Sequence, residues 1–174
     1  LFAAGRVQIK RGDPQASLDY LNRALNLSIQ LGNEEGRATI LNATGIAYKR
    51  LNKPDEALRN YQESLDIRTR LGLKGGMAAT LNEIGQIQNK MGQPDKAFKS
   101  YQQSLKLRRE IGDKRGTGNT LIDLGLLYVD RGRYDDALKL FQESLQIQRQ
   151  VGNESSQALC LNNIGNIYLA RGQY

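Results

Sequence analysis

The chain has 174 residues, of which 39% are hydrophobic and 25% charged, and its formal net charge is +7. This composition is typical of a globular protein with a sizeable core, and it indicates neither a disordered nor a membrane-spanning chain. The sequence has no histidine, the most common general base, and its single cysteine, Cys160, excludes an intrachain disulfide. We therefore expect no enzyme active site, no metal or cofactor and no small-molecule substrate, in a chain compatible with the reducing cytoplasm.

A repeat of forty residues organises the chain. Four residue types recur at this interval, at Leu41, Leu81, Leu121 and Leu161, at Gly45, Gly85, Gly125 and Gly165, at Ala57, Ala97 and Ala137, and at Tyr61, Tyr101 and Phe141. Such recurrence indicates one structural unit that stacks against its own copies, because each unit has more apolar surface than it can bury alone. We divide the chain into a single array with a partial repeat at 1–31, full repeats at 32–71, 72–111 and 112–151, and a partial repeat at 152–174.

Turn and cap signals predict nine helices in chain order, the first of them partial. A helix ends at about residue 11, and Pro14 begins the next one, where its missing N–H group costs nothing. The second helices of the following repeats are predicted at 54–71 and 94–111, and the last repeat ends at Tyr174, which aligns with Pro54 and Pro94. Gly32 is predicted to end its helix in the left-handed conformation, and Asn33 to cap the helix that follows.

Most of the eighteen glycines fall on fixed positions of the repeat, which argues against a phosphate-binding loop. A glycine inside a helix costs roughly 1 kcal/mol relative to alanine, so the set that includes Gly45 and Gly85 needs a packing reason. We expect these glycines to mark places where two helices approach closely. The run from Gly116 to Thr120 lacks a preceding strand and the full spacing of a nucleotide-binding motif.

Residues 41–65, LNATGIAYKRLNKPDEALRNYQESL, and their copies resemble tetratricopeptide repeats. In that family, helix A carries Gly or Ala followed by Tyr, here Gly45 and Tyr48, and helix B carries Ala with an aromatic residue four positions later, here Ala57 and Tyr61. The sequence departs from the family pattern where leucine replaces the usual tryptophan and where Gln88 replaces tyrosine. The forty-residue period is similar to the repeats of kinesin light chains and Pins-type scaffolds.

The resemblance implies an all-α fold, a right-handed superhelical solenoid of antiparallel helix pairs, with helix A lining a concave face. A protein or peptide partner would bind there. The side chains expected to face this groove lie one position after the packing residues of each helix A. They are Asn42, Ile46 and Lys49; Asn82, Gln86 and Asn89; Ile122, Leu126 and Val129; and Asn162, Asn166 and Leu169.

Two alternatives remain open for this stripe of side chains. The amides of Asn42, Asn82 and Asn162 each offer a donor and an acceptor, which suits the backbone of an extended peptide; the alternative is that they cap or bridge neighbouring helices. The apolar residues Ile122, Leu126 and Val129 also have two interpretations. Either they form a pocket for a hydrophobic ligand side chain, or this helix is buried on more sides than the others. Five charged residues flank the groove, and we expect them to set its charge preference: Arg50, Lys90, Glu83, Asp123 and Asp130.

The net positive charge does not predict a nucleic-acid-binding protein. Acidic residues gather at the starts of the second helices and basic residues near their ends, which is the distribution that helix dipoles favour. A basic group near the outer edge is interpreted as a solvated face, with binding of an acidic protein or of phosphates as the alternative. It lacks interleaved aromatic residues for base stacking. Its members are Arg68, Arg108, Arg109, Lys114 and Arg115.

We therefore expect a protein-interaction module that belongs to a larger scaffold or regulatory protein. The competing hypothesis is a structural spacer or self-association segment without a peptide ligand. In that case, apolar faces at the two ends of the array would pack end to end.

Overall fold

The computed structural model describes residues 1–172, which form nine α-helices. Helices α2 to α9 have 17 residues each, and their ends lie within a residue or two of the predicted positions. The helices are α1 Phe2–Arg11, α2 Pro14–Gln30, α3 Glu34–Arg50, α4 Pro54–Arg70, α5 Lys74–Lys90, α6 Pro94–Glu110, α7 Lys114–Asp130, α8 Tyr134–Gln150 and α9 Glu154–Ala170. The predicted end of the last repeat, Tyr174, lies outside the described residues.

Left-handed residues separate the helices, as the sequence predicts. Gly32 has φ 62°, and its N–H donates to the carbonyl of Ile29 while the N–H of Asn33 donates to that of Ser28. This closes the carbonyl end of α2, and the Asn33 side chain then accepts from the N–H of Gly36 at 2.8 Å to cap α3. At the turn between α3 and α4, Asn52 takes the left-handed place that glycine holds in the other repeats, with φ 57°.

Within each repeat, a mid-helix glycine lets the two helices approach closely. A Cβ built on Gly45 would lie 2.5 Å from the ring of Tyr61, and one on Gly125 would lie 2.6 Å from the ring of Phe141. The rings of Tyr61 and Phe141 are fully buried. The prediction that these glycines mark close helix approach is therefore confirmed.

A buried serine of helix B ties the two helices of each full repeat together. The hydroxyl of Ser64 donates to the carbonyl of Ala38 at 2.7 Å, and Ser104 and Ser144 donate in the same way to Ala78 and Gly118. Each pair is separated by 26 residues. The same buried hydrogen bond therefore links the two helices in all three full repeats.

Successive helices pack in chain order and form the predicted right-handed superhelix. The first helices of neighbouring repeats also contact one another, α3 with α5, α5 with α7 and α7 with α9. These four helices therefore form one continuous concave wall, and the second helices lie outside it. Among residues 1–172, no helix is long and apolar enough to cross a membrane.

Candidate functional site on the concave face

The concave wall encloses a cavity of about 440 Å³ between α3, α5, α7 and α9. Four side chains of the predicted stripe line it: Asn42, Asn82, Gln86 and Ile122. Glu83 and Asp123, which we expected beside the groove, also line the cavity, and Arg108 of α6 lines it as well. The amides and carboxylates make this a polar cavity, suited to ligands that exchange hydrogen bonds.

Asn82 is part of the wall itself. It is 7% exposed, and its Nδ2 donates to Asp123 Oδ2 at 2.7 Å while its Oδ1 accepts from the hydroxyl of Thr120 at 2.8 Å. Both ends of this amide therefore connect α5 to α7. This geometry matches the interpretation in which the asparagines bridge neighbouring helices.

Asn42 bridges the helices through its oxygen alone. Its Oδ1 accepts from the hydroxyl of Thr80 on α5 at 3.0 Å. Among residues 1–172, its Nδ2 has no acceptor, and the residue is half-buried in the cavity wall. The N–H groups of Asn42 are therefore available to a ligand in a way that those of Asn82 are not.

Lys49 joins the same network further along α3, on the face that also carries Asn42. Its Nζ donates to Gln86 Oε1 at 2.9 Å and pairs with the carboxylate of Glu83, which also accepts from the hydroxyl of Tyr61 at 3.1 Å. Burial raises the pKa of Tyr61, and the negative charge of Glu83 adds to this. Glu83 is therefore neutralised within the wall by a lysine from the neighbouring repeat.

Asp123 has no such counter-ion. It accepts from the amides of Asn82 and Gln86, at 2.7 and 3.1 Å, and among the described residues no cation pairs with it directly. Burial raises the pKa of Asp123, the two amide donors lower it, the charge of Glu83 raises it and that of Lys49 lowers it. Asp123 is therefore a carboxylate without a directly paired cation, in the wall of a cavity that Arg108, itself paired with Asp113, also lines.

The apolar side chains on α7 do not form an open pocket. Ile122 is 4% exposed, and both Ile122 and Val129 pack into the core around Phe141. Leu126 alone presents apolar surface, with 38% of the residue exposed. For Ile122 and Val129, the structure therefore agrees with the interpretation that α7 is buried on more sides, and not with a ligand pocket.

The remaining predicted residues lie away from the cavity. Asn89 is half-buried near the C-terminal end of α5, and Asn162 and Asn166 are exposed on α9. None of the three lines the cavity with the others. The predicted ladder of three asparagines is therefore not continuous, because Asn162 does not share the surroundings of Asn42 and Asn82.

Sequence reasoning missed a second row of cavity residues, three positions before Asn82, Ile122 and Asn162. This row comprises Ala79, Asn119 and Leu159, and Ser156 joins them from the first turn of α9. Residues three apart on a helix lie on the same face, so this spacing is the signal that could have identified them. They make the groove wider than the predicted stripe.

The predicted basic group is not a single solvated face. Arg68 is only 8% exposed, and its guanidinium donates to the carbonyl of Gly76 at 2.8 Å and to the hydroxyl of Thr80. Burial lowers the pKa of Arg68, partly offset by the charge of Glu35. The expectation of a solvated side chain is wrong for Arg68, because its guanidinium fills the space beside Gly76.

Helix α9 presents an apolar surface outside the cavity. Leu161 is 51% exposed and Leu169 59% exposed. Among residues 1–172, a Cβ built on Gly165 would meet no neighbouring atom within 4 Å, whereas one on the equivalent Gly125 would lie against the ring of Phe141. This face is therefore open where the corresponding faces of the preceding repeats are covered.

Solved structures share the fold of this chain. BtubC (BKLC) from P. vanneervenii has a TM-score of 0.86 and 20% identity, over 97% of this chain and 70% of that one. A putative kinesin light chain from Podosopora anserina with nearly identical TPR-like repeats has a TM-score of 0.78 and 16% identity, over 99% of this chain and 85% of that one. A Rap protein complexed with Competence and Sporulation Factor has a TM-score of 0.85 and 14% identity, over 99% of this chain and 52% of that one.

The family follows from the sequence itself. No curated protein sequence matches the chain. The family model described as tetratricopeptide repeat matches residues 2–70, 76–150 and 120–174, which together span nearly the whole chain. With the repeat geometry described above, this match shows that the chain belongs to the tetratricopeptide repeat family.

Proposed function

We propose that the chain is a protein-interaction module whose concave face binds an extended peptide or a partner helix. The observation that carries this proposal is the polar cavity of about 440 Å³ between α3, α5, α7 and α9. A rigid wall of helices presents hydrogen-bonding groups there without having to fold around the ligand, which lowers the entropic cost of binding. Support for a peptide ligand also comes from the fold, since the Rap protein of similar fold was solved in complex with Competence and Sporulation Factor.

Two groups in the cavity define what the ligand should offer. The free N–H groups of Asn42 favour an acceptor such as a peptide carbonyl. The carboxylate of Asp123, which is hydrogen-bonded only to amides, favours a donor and above all a cation. We infer a peptide whose backbone contacts α3 and whose donor group approaches α7.

The experiment is a selection of random peptides displayed on phage against the wild-type chain, followed by affinity measurements on the selected peptides. Ala79 lines the cavity and makes no side-chain hydrogen bond, so Ala79→Arg fills the cavity without removing any contact described above. Gln102 is exposed on α6, outside the concave wall, so Gln102→Arg adds the same charge elsewhere. We expect Ala79→Arg to weaken binding at least tenfold and Gln102→Arg to leave it unchanged. Equal effects of the two substitutions would place the binding surface elsewhere.

A second candidate function is self-association through α9. The observation in its favour is the open apolar face around Leu161 and Leu169. Light scattering after size-exclusion chromatography, over a hundredfold range of protein concentration, tests it. Self-association predicts that the molar mass of the wild type rises with concentration, whereas Leu161→Glu remains a monomer. It also predicts that the peptides selected for the concave face do not disrupt the association.

A further inference from the structure

Two arginines occupy the same position in successive repeats and reach the first turn of the following helix. A Cβ built on Gly76 would lie 2.8 Å from Cδ of Arg68, and one built on Gly116 would overlap Nη1 of Arg108. In both repeats, therefore, the glycine leaves the space that the arginine side chain occupies. The two arginines differ in how far they extend, because Cδ and Nε of Arg68 lie beside Gly76 whereas Nη1 of Arg108 lies beside Gly116.

At the start of α7, a carboxylate completes this arrangement. Asp113 is the N-cap residue, and its Oδ1 accepts from the N–H of Gly116 at 2.9 Å. Its Oδ2 accepts from Nη1 of Arg108 at 2.8 Å. The carboxylate thus lies between a helix N–H group and a guanidinium, and both the helix dipole and the ion pair favour it there.

At the start of α5, the carboxylate is missing because Leu73 occupies the N-cap position. Among residues 1–172, the N–H of Gly76 has no acceptor, and Arg68 donates only to the neutral oxygens of Gly76 and Thr80. Arg68 is nevertheless 8% exposed. A buried cation and a free helix N–H group therefore meet without the anion that joins them in the next repeat.

A cavity of about 550 Å³ opens at this point, so a ligand can reach both groups. Arg68, Leu73 and Gly76 line it, and Ile111 adds an apolar edge. The acidic group facing the cavity is Glu35 on α3, which attracts Arg68 electrostatically but makes no hydrogen bond to it. Lys74 also lines the cavity and is paired with Glu110 at 2.9 Å.

We propose that this cavity binds a carboxylate of a protein or peptide ligand, with one oxygen accepting from the N–H of Gly76 and the other from Arg68. The assignment rests on the equivalent position in α7, where the Asp113 carboxylate makes the corresponding contacts. It does not depend on the polar cavity at Asn42 and Asp123. Failure of peptide binding there leaves this inference intact, and the reverse also holds.

The test uses acetate as the probe and the glycine amides as reporters. The ¹⁵N-labelled wild-type chain is titrated with sodium acetate and, separately, with sodium chloride at matched ionic strength. We expect acetate to shift the amide resonance of Gly76 saturably and to leave that of Gly116 unchanged, because Asp113 already occupies the site at α7. Equal shifts with chloride, or equal shifts at the two glycines, would overturn the proposal.

A reciprocal exchange of the two cap residues sharpens the test. Leu73→Asp supplies an internal carboxylate at α5, so we expect it to abolish the acetate response of Gly76 and to raise the thermal midpoint by about 2–4 °C. Asp113→Leu removes the carboxylate at α7, so Gly116 should gain an acetate response. A Gly76 resonance that still responds to acetate in Leu73→Asp contradicts the proposal.

Glu35→Gln distinguishes an external ligand from an internal one. Removal of the negative charge facing the cavity should strengthen acetate binding at Gly76 at least twofold. If the wild type does not respond and Glu35→Gln does, then Glu35 itself occupies the site, and the inference of an external carboxylate is wrong.

Discussion

The ring of Tyr101 occupies the space next to Gly85 in which any larger residue would place its side chain. A Cβ built on Gly85 would lie 2.6 Å from Cε1 of Tyr101 and 2.7 Å from Cδ1. Tyr101 is 3% exposed, so its ring has little room to move away. The pair therefore sets the distance between α5 and α6.

Gly85→Ala should destabilise the protein although alanine is the better helix former. The added methyl group forces the Tyr101 ring and α6 to shift, a cost of about 1–3 kcal/mol that exceeds the gain of roughly 1 kcal/mol in helix propensity. Urea denaturation followed by circular dichroism measures the difference in free energy of unfolding.

Gly165 provides the matched control at the same position of the repeat. A Cβ there meets no atom of the described part of the chain within 4 Å, so Gly165→Ala should stabilise α9 by about 0.5–1 kcal/mol. If both substitutions stabilise the protein, the contact between Gly85 and Tyr101 does not limit the approach of the helices.

The contrast between these two glycines shows how far the sequence predicts the fold. The recurrence of Gly85 and Tyr101 at forty-residue intervals predicts the helices, their turns and the close approach within each repeat. The sequence also identifies part of the cavity lining, namely Asn42, Asn82, Gln86 and Ile122. These features follow from local spacing, which is the same in every copy.

The partners of the groove side chains could not be predicted in this way. The Asn82 amide is engaged by Thr120 and Asp123, 38 and 41 residues further along the chain. Such contacts depend on the rotation between successive repeats, and this rotation is set by the packing of whole helices. Only the three-dimensional structure therefore shows that the Asn82 amide is hydrogen-bonded at both ends, whereas the N–H groups of Asn42 are available to a ligand.

Ser17 stands where the other repeats have alanine, and we predict that alanine is the better residue. Its hydroxyl is fully buried, and among the described residues it has no hydrogen-bond partner. Ser17→Ala should raise the free energy of unfolding by about 1 kcal/mol, because the desolvated hydroxyl is removed and the helix propensity rises.

Ser104→Ala is the control for a hydroxyl that does have a partner. Ser104 is equally buried but donates to the carbonyl of Ala78 at 2.7 Å. Its removal should lower the free energy of unfolding by about 1 kcal/mol. Urea melts of both variants check the pair, and the same sign of change for Ser17 and Ser104 would show that hydrogen bonding does not decide the outcome.

The turn between α5 and α6 should tolerate asparagine better than alanine. Gly92 has φ 70°, a conformation that costs most residues about 1–2 kcal/mol. Asn52 adopts φ 57° at the equivalent turn, so Gly92→Asn should lose less stability than Gly92→Ala. Thermal melts of the two variants measure this order, and equal losses would mean that backbone conformation is not the controlling factor.

Asp123→Asn should change how stability depends on pH. Because burial raises the pKa of the Asp123 carboxyl above its ordinary value of 3.8, the folded state binds the proton more tightly than the unfolded state. The contribution of this group to the free energy of unfolding therefore falls as the pH rises from about 4 through the raised pKa.

Asparagine keeps an oxygen that can accept from Asn82 and Gln86 but carries no charge. We expect the variant to match or exceed the wild type at pH 7, with an advantage that shrinks towards pH 4, while Lys49 and Glu83 remain in place. Urea melts at half-unit pH intervals give this difference, and an advantage that grows as the pH falls would show that the carboxylate stabilises the folded wall in its charged form.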